Sequence, residues 1–208
     1  MHTTIEEWRQ RGVDYLDWWC STDRRLIADF SSAVTCAKLA DLCSPTRYKV
    51  ARTVPGYGSQ KYEPFTRVLN SLHNVNVTRE SAPVIVEQAC RELFEVYGRS
   101  IPSAISKTLW MMKGHPIVVY DRLAKGGLRK NGFVLAGLYE PYYSSWFSFF
   151  DRPSTQRALD EVCAWIPESP SAQRLVATRR TSPEELRQFV VSDRFRNRVV
   201  DVSLMQQA

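Results

Sequence analysis

Apolar side chains recur along most of the chain at the three- and four-residue spacing that is typical of amphipathic helices. In the first half, this spacing predicts a helix over residues 4–20 and a second helix that starts at Ser21 or Thr22 and runs to about Cys43. A further helix is predicted over Ser81–Tyr97. Strand-like alternation is scarce, so the pattern predicts a mainly α-helical protein.

Capping residues and helix breakers locate the helices of the second half. Gly114 follows a helix that runs through Met112, and Ser154 is expected to cap a helix that continues to Ile166. Ser182 precedes a proline and two glutamates, which is typical of a helix N-terminus.

Long irregular loops are predicted between these helices. Residues 44–77 contain three prolines and two glycines, which favours an irregular excursion with at most a short helix near Pro64–Leu72. The length of 208 residues and the hydrophobic content of 44% suit a single helical domain over residues 1–208.

The composition excludes several classes of protein. The chain carries 28 lysine and arginine residues against 22 acidic residues, a formal net charge of +6. No apolar run approaches the roughly 18 residues that a membrane-spanning helix needs, and the N-terminal residues lack the pattern of a secretory signal. Five cysteines without a C-x-x-C spacing and three histidines without an H-E-x-x-H pattern argue against a metal site. We therefore expect a cytoplasmic protein with no membrane association, no bound metal and no cofactor.

Positive charge is concentrated in two parts of the chain. The basic C-terminal helical part, about residues 170–208, contains Arg174, Arg179, Arg180, Arg187, Arg194, Arg196 and Arg198. A second cluster contains Arg122, Lys125, Arg129 and Lys130. Because arginine can bind phosphate bidentately, both clusters suit nucleic acid as well as a solvated surface.

The segment from Ile101 to Asp121 carries the most informative motif. Ile101-Pro102-Ser103-Ala104-Ile105-Ser106-Lys107 has a proline-to-lysine spacing of five and is followed by a helix, the apolar segment Pro116–Tyr120 and then Asp121. This order resembles the helix-hairpin-helix DNA glycosylase superfamily, and within it the 8-oxoguanine glycosylase branch. The resemblance implies a helical DNA glycosylase-like fold with a degenerate helix-hairpin-helix element over about residues 81–131.

Two features depart from the family pattern. Ser103 and Ile105 stand where the family has hairpin glycines that allow close approach to a DNA phosphate. The interval of fourteen residues from Lys107 to Asp121 is about one helical turn shorter than is usual in the superfamily.

The resemblance implies catalytic roles for two residues. Asp121 would stabilise the positive charge that develops on the sugar when the N-glycosidic bond breaks, or would activate the attacking water. Lys107 would attack the sugar carbon and form a Schiff base, which permits strand cleavage after base removal. The alternatives are that Asp121 only caps a helix and that Lys107 is a solvated helical lysine.

A glycosylase must also take its target base out of the stack into a pocket. The candidate pocket walls are Trp110, Tyr120, Tyr142, Tyr143, Trp146 and Phe147. Aromatic belts in small helical proteins also form the core, which is the alternative for these residues. The candidate DNA contacts are Ser103, Ser106, Arg122, Lys125, Arg129 and Lys130. Gly126-Gly127 would let the backbone approach the DNA strand closely.

These expectations define a DNA glycosylase-like enzyme that flips out and excises a damaged or modified base, in DNA repair or in antiviral defence. Its partner would be DNA. One alternative is a non-catalytic helical nucleic-acid-binding module that binds through the basic C-terminal part. Another is a protein-interaction domain whose aromatic belt packs on a partner.

Overall fold

The computed structural model of the protein describes residues 3–179 and 181–208, so Arg180 of the basic C-terminal part lies outside the described residues. The described chain is mainly helical, which confirms the predicted fold class. Its α-helices are α1 (Ile5–Trp18), α2 (Arg24–Phe30), α3 (Cys36–Cys43), α4 (Glu63–Ser71), α5 (Ser81–Tyr97), α6 (Pro102–Lys113), α7 (Arg122–Lys130), α8 (Tyr139–Phe150), α9 (Pro153–Trp165), α10 (Pro170–Arg179), α11 (Pro183–Val190) and α12 (Asp193–Gln207). None of these helices has the length and apolar character needed to span a membrane.

Three short helical segments of other types complete the secondary structure of the described chain. A π-helical segment, Trp19–Asp23, joins α1 to α2. Short 3-10 helices, Ser59–Tyr62 and Ile166–Glu168, precede α4 and follow α9.

The described chain divides into two compact units. Unit 1 comprises Met1–Arg24, Asp121–Ala136 and Ser144–Ala208, and unit 2 comprises Arg25–Tyr120 and Gly137–Tyr143. Helices α2 and α8 each contribute residues to both units. The expectation of one domain over the whole chain stays a prediction.

In unit 1, α12 is the central helix and packs against α1, α7, α9 and α11. The contact with α7 is close because Gly127 has no side chain. A Cβ atom at Gly127 would lie 2.1 Å from the Leu204 carbonyl oxygen, and one at Gly126 would lie 2.9 Å from the Ala208 Cβ. These glycines therefore serve helix packing, which differs from the expectation that they let the backbone approach DNA.

In unit 2, α5 packs against α4 and α6, and α3 also contacts α4 and α6. Leu39, Phe65, Leu93 and Leu109 are completely buried in these helices and form part of their core. The chain passes from α5 to α6 through Gly98, whose φ of 63° is left-handed. The α5–α6 pair forms the first part of residues 81–131, over which the helix-hairpin-helix element is predicted.

Two predicted helix starts were wrong. Ser21 and Thr22 do not cap a second helix, because the chain continues from α1 through the π-helical segment. A break after α2 instead lets Thr35 cap α3, with its side chain accepting a hydrogen bond from the Lys38 backbone. Ser154 does not cap α9 either: the proline at position 153 takes the first helical position, so Arg152 becomes the N-cap.

Candidate functional site

The segment that leads to Asp121 is buried and held by two tyrosines of unit 2. Val118 and Val119 are buried. The Tyr139 hydroxyl donates to the Val118 carbonyl at 2.7 Å and accepts from the Val118 N–H at 3.2 Å. The Tyr142 hydroxyl donates to the Val119 carbonyl at 2.8 Å. The backbone just ahead of Asp121 is thus fixed by side-chain hydrogen bonds, although the segment lies in no regular sheet.

Asp121 itself begins the next helix. It is the N-cap of α7, and its Oδ1 accepts a hydrogen bond of 2.8 Å from the Leu123 N–H. The residue is half-buried. The capping role expected as an alternative is therefore confirmed, and it leaves the carboxylate fixed in orientation at the surface of unit 1.

Helix α7 brings together the four cations predicted to contact DNA. Arg122, Arg129 and Lys130 are exposed and Lys125 is half-buried. Arg122, Arg129 and Lys130 make no ion pair with any carboxylate in the described part of the chain. Asp121 thus begins a short helix in which the charges of Arg122, Arg129 and Lys130 are available to a phosphate.

The basic C-terminal part is different, because four of its arginines are paired with carboxylates inside unit 1. These ion pairs are Arg179–Asp17 at 3.3 Å, Arg187–Glu168 at 3.8 Å, Arg196–Asp160 at 2.7 Å and Arg198–Asp201 at 2.6 Å. Much of the positive charge that suggested a C-terminal nucleic-acid surface is therefore matched within the protein.

A buried polar network in unit 1 was not foreseen from the sequence. The Trp146 indole N–H donates to Asp201 Oδ1 at 2.8 Å, and the Arg198 guanidinium donates to Asp201 Oδ2 at 2.6 Å. Burial raises the pKa of Asp201 to about 6, with the charge of Asp121 adding a small effect in the same direction and Arg198 opposing it. The sequence carries no signal for this network, because Trp146 and Asp201 are 55 residues apart.

Lys107 lies on α6 in unit 2 and is only 7% exposed. Its Nζ is 5.7 Å from the centre of the Tyr48 ring, a cation–π contact. The alternative of a solvated helical lysine is therefore wrong. The two candidate catalytic residues belong to different units, Lys107 to unit 2 and Asp121 to unit 1.

The two serines predicted to contact DNA differ in their surroundings. Ser103 is half-buried in the first turn of α6. Ser106 is completely buried, and its Oγ accepts a hydrogen bond of 2.9 Å from the Tyr120 N–H. In the structure Ser106 holds the backbone ahead of Asp121, so its hydroxyl is already engaged and does not face solvent.

The six candidate pocket residues are placed mainly in the cores of their units. Trp110, Tyr142, Tyr143, Trp146 and Phe147 are buried. The Tyr143 hydroxyl is bonded to the Arg79 carbonyl at 2.9 Å. Tyr120 is half-exposed, with its ring 5.0 Å from that of Tyr142 and 6.1 Å from that of Tyr139. The burial of these five residues agrees with the alternative that the aromatic belt forms the core. Tyr120 is the member of the set that reaches solvent.

Four of the cysteines do not have the character of catalytic nucleophiles. All five are free thiols. Burial raises the pKa of Cys43 and of Cys90 to about 12, and it also raises the pKa of Cys20 and of Cys163. Within the described residues, no cluster of three or more histidine, cysteine, aspartate or glutamate side chains could hold a metal ion.

Comparisons with known proteins add no relative. Scans of protein-family models, of curated proteins and of solved structures each found no match to this chain.

Proposed function

We propose that the protein is a DNA glycosylase that excises a damaged or modified base, with Asp121 as its catalytic carboxylate. The observation that carries this proposal is the position of Asp121. It is half-buried and fixed as the N-cap of a helix whose cations Arg122, Arg129 and Lys130 are exposed and unpaired with described carboxylates. A carboxylate beside a phosphate-binding surface is the arrangement that N-glycosidic bond cleavage in DNA requires.

In the proposed reaction, the bond between the sugar C1′ and the base breaks and its electron pair leaves with the base. The base takes up a proton, and the sugar becomes an oxocarbenium-like cation. The Asp121 carboxylate stabilises that positive charge and accepts the proton of the water that attacks C1′. The α7 cations bind phosphates on either side of the target and so position the sugar without reading the sequence.

Base flipping needs a surface on which the extruded base can stack. Tyr120 is the proposed stacking residue, because it directly precedes Asp121 and its ring is half-exposed. The other five candidate aromatics are buried. DNA is the partner, the compartment is the cytoplasm, and the biological role is repair or defence against phage DNA.

Lys107 is proposed as a nucleophile that takes the place of the attacking water and would give strand cleavage. Its amine would attack C1′, displace the base and form a Schiff base with the opened sugar. Borohydride would reduce this intermediate to a stable cross-link between protein and DNA. Trapping in the wild-type protein that disappears in Lys107→Gln supports this role. Base release without trapping identifies a hydrolytic enzyme that uses Asp121 alone.

The test of the main proposal is base release from a panel of DNAs that carry damaged or phage-type modified bases. Free bases are measured by mass spectrometry, and abasic sites with an aldehyde-reactive probe. Asp121→Asn is the decisive variant, because asparagine caps a helix about as well as aspartate. We expect a fall in release of at least about a hundredfold, with the fold and the DNA affinity retained.

Asp193→Asn is the matched control, since Asp193 is an exposed aspartate in the first turn of α12 in the same unit. It should leave base release unchanged. Equal release from wild-type protein and Asp121→Asn would refute the catalytic role of Asp121. Salt-sensitive DNA binding without release from any substrate would instead identify a non-catalytic nucleic-acid-binding module.

A further inference from the structure

We propose that unit 1 contains a second phosphate-binding site, a groove that holds the DNA backbone beyond the end of α7. We call it the α9 groove, and it has a volume of about 710 Å³. The residues that carry the proposal are Lys130, Arg152, Ser154, Thr155 and Arg157. The choice of DNA as ligand rests on the proposed function, whereas the phosphate chemistry follows from the groove itself.

The charge of the α9 groove is strongly positive. Lys130, Arg152 and Arg157 line it, and none of them forms an ion pair with a carboxylate of the described residues. The one acidic side chain in the lining, Glu161, is paired with Arg9 at 2.8 Å. Three cations therefore share a concave surface without a matching negative charge, which favours an anionic ligand.

Arg152 is held in a fixed orientation for such a ligand. Its guanidinium carbon lies 4.8 Å from the centre of the Phe133 ring and 5.2 Å from that of Phe149. It also donates to the Asn131 carbonyl at 3.4 Å. An arginine that is stacked on aromatic rings keeps its planar donors oriented, so little side-chain entropy is lost when it binds a phosphate.

Neutral hydrogen-bond donors stand beside the cations. Ser154 and Thr155 line the groove from the first turn of α9, whose N-cap Arg152 supplies no side-chain cap. Thr155 is only 3% exposed, yet its hydroxyl makes no hydrogen bond to another described residue. The hydroxyl oxygen is not itself fully buried. It opens onto a groove lined by cations, where it can donate a hydrogen bond to a ligand oxygen.

The position of the groove along α7 links it to the proposed DNA surface. Lys130 ends α7 and lines the groove, while Asp121 caps the other end of the same helix. Nine residues separate them, a distance of about 13 Å along an α-helix. The α9 groove would therefore bind the DNA backbone a few nucleotides away from the target base.

The test is the salt dependence of DNA affinity, measured by fluorescence anisotropy with a labelled duplex. The groove variant is the double substitution Arg152→Met/Arg157→Gln, in which methionine keeps apolar packing between the two phenylalanines. The control is Arg67→Gln/Arg99→Gln, which removes the same charge from two exposed arginines of unit 2. Thermal unfolding of all proteins verifies that they are folded, and Arg157→Gln alone serves if the double variant is unstable.

We expect the groove variant to bind at least tenfold more weakly at low salt. Its slope of log affinity against log salt should fall by about two, because roughly one counterion is released per phosphate contact. The control should keep the wild-type slope. Equal slopes in the groove variant and the control would overturn the proposal.

Two further outcomes are informative. Arg157-dependent binding of inorganic phosphate, measured by calorimetry, together with an unchanged DNA slope would show that the groove holds a free anion and would overturn the DNA assignment. Since anisotropy does not depend on base release, a failure of Asp121 as the catalytic group leaves this measurement decisive for the groove.

Discussion

The Ser106 Oγ accepts a hydrogen bond of 2.9 Å from the Tyr120 backbone N–H. Each of these residues directly precedes a candidate catalytic residue, Lys107 in one case and Asp121 in the other. The bond ties α6 to the end of the buried segment that leads to Asp121. Ser106 therefore fixes the backbone of Tyr120, the proposed stacking residue.

Replacing Ser106 with alanine should leave the Tyr120 N–H without its partner. We expect the free energy of unfolding to fall by about 1–3 kcal/mol, as when a buried donor loses its acceptor. Base release should fall as well, through kcat more than through KM, because the DNA still binds while Tyr120 is less well placed to stack on the extruded base. Urea denaturation and steady-state kinetics measure the two effects.

Ser103→Ala is the control for this prediction. Ser103 lies one turn earlier on α6, is half-buried, and its side chain makes no hydrogen bond to the described residues. Its replacement should change stability by less than about 0.5 kcal/mol. Equal losses of stability in the two alanine variants would show that the Ser106–Tyr120 hydrogen bond does not stabilise the folded state.

Gly127 should not tolerate even a methyl group. Its Cβ would lie 2.1 Å from the Leu204 carbonyl oxygen, so Gly127→Ala must push α7 away from α12. We expect a loss of about 3 kcal/mol, which is the upper range for overpacking. Chemical denaturation followed by circular dichroism measures this loss.

Gly126→Ala is a matched comparison on the same helix. There the Cβ meets the Ala208 Cβ at 2.9 Å and the Ala208 Cα at 3.5 Å, and alanine gains up to about 1 kcal/mol in helix propensity. This variant should remain within about 1 kcal/mol of the wild type. A Gly127→Ala protein as stable as Gly126→Ala would contradict the close α7–α12 contact.

Asp201 should make stability depend on pH in a defined window. Its folded pKa of about 6 lies above the roughly 3.9 of an unfolded aspartate, so the folded state holds this proton more tightly. The contribution of Asp201 to the unfolding free energy should be highest below about pH 4 and should decrease as pH rises to about 6, by on the order of 3 kcal/mol. Beyond that pH the contribution of Asp201 is constant.

Asp201→Asn isolates this effect from those of other titrating groups. Asparagine still accepts a hydrogen bond from the Trp146 indole, but it carries no proton to lose. Subtracting the stability of the variant from that of the wild type at each pH should give a curve that declines between about pH 4 and 6. A flat difference curve would show that burial does not raise the pKa of Asp201.

Cys43 should resist alkylation in the native protein. It is completely buried, and its raised pKa of about 12 keeps the thiol protonated at neutral pH. Pulse labelling with iodoacetamide and peptide mass spectrometry should modify Cys43 only after denaturation. Rapid labelling of Cys43 in native buffer would indicate a reactive thiolate.

Local signals in the sequence predicted much of the helical framework. The limits of α5 are those expected from its apolar spacing, and Gly98 ends it. Ser182 caps α11 by accepting a hydrogen bond of 3.0 Å from the Glu185 N–H. Asp121 also stands at a helix start, as one interpretation of the sequence required. Each of these features is determined by residues within one or two helical turns.

Features that depend on contacts between distant residues were not accessible in this way. The sequence predicts that Gly127 lets the backbone approach DNA. It gives no sign that Leu204 lies against Gly127, because the two residues are far apart along the chain. The sequence predicts that Trp146 is a pocket wall. Its hydrogen bond to Asp201 cannot be inferred locally, because Asp201 is 55 residues further along the chain. The α9 groove likewise combines residues from Thr3 to Gln207.

The composition of unit 1 also has a consequence for the order in which the chain folds. Arg11 on α1 donates to Ser203 and to Gln206 on α12, at 3.0 Å in both cases, across 192 and 195 residues of sequence. Unit 2 is complete once residue 143 has been synthesised. During synthesis on the ribosome, the helices of unit 2 can therefore pack before α12 is available to pack against α1. During that interval the apolar side of α1 is a surface that a chaperone can protect.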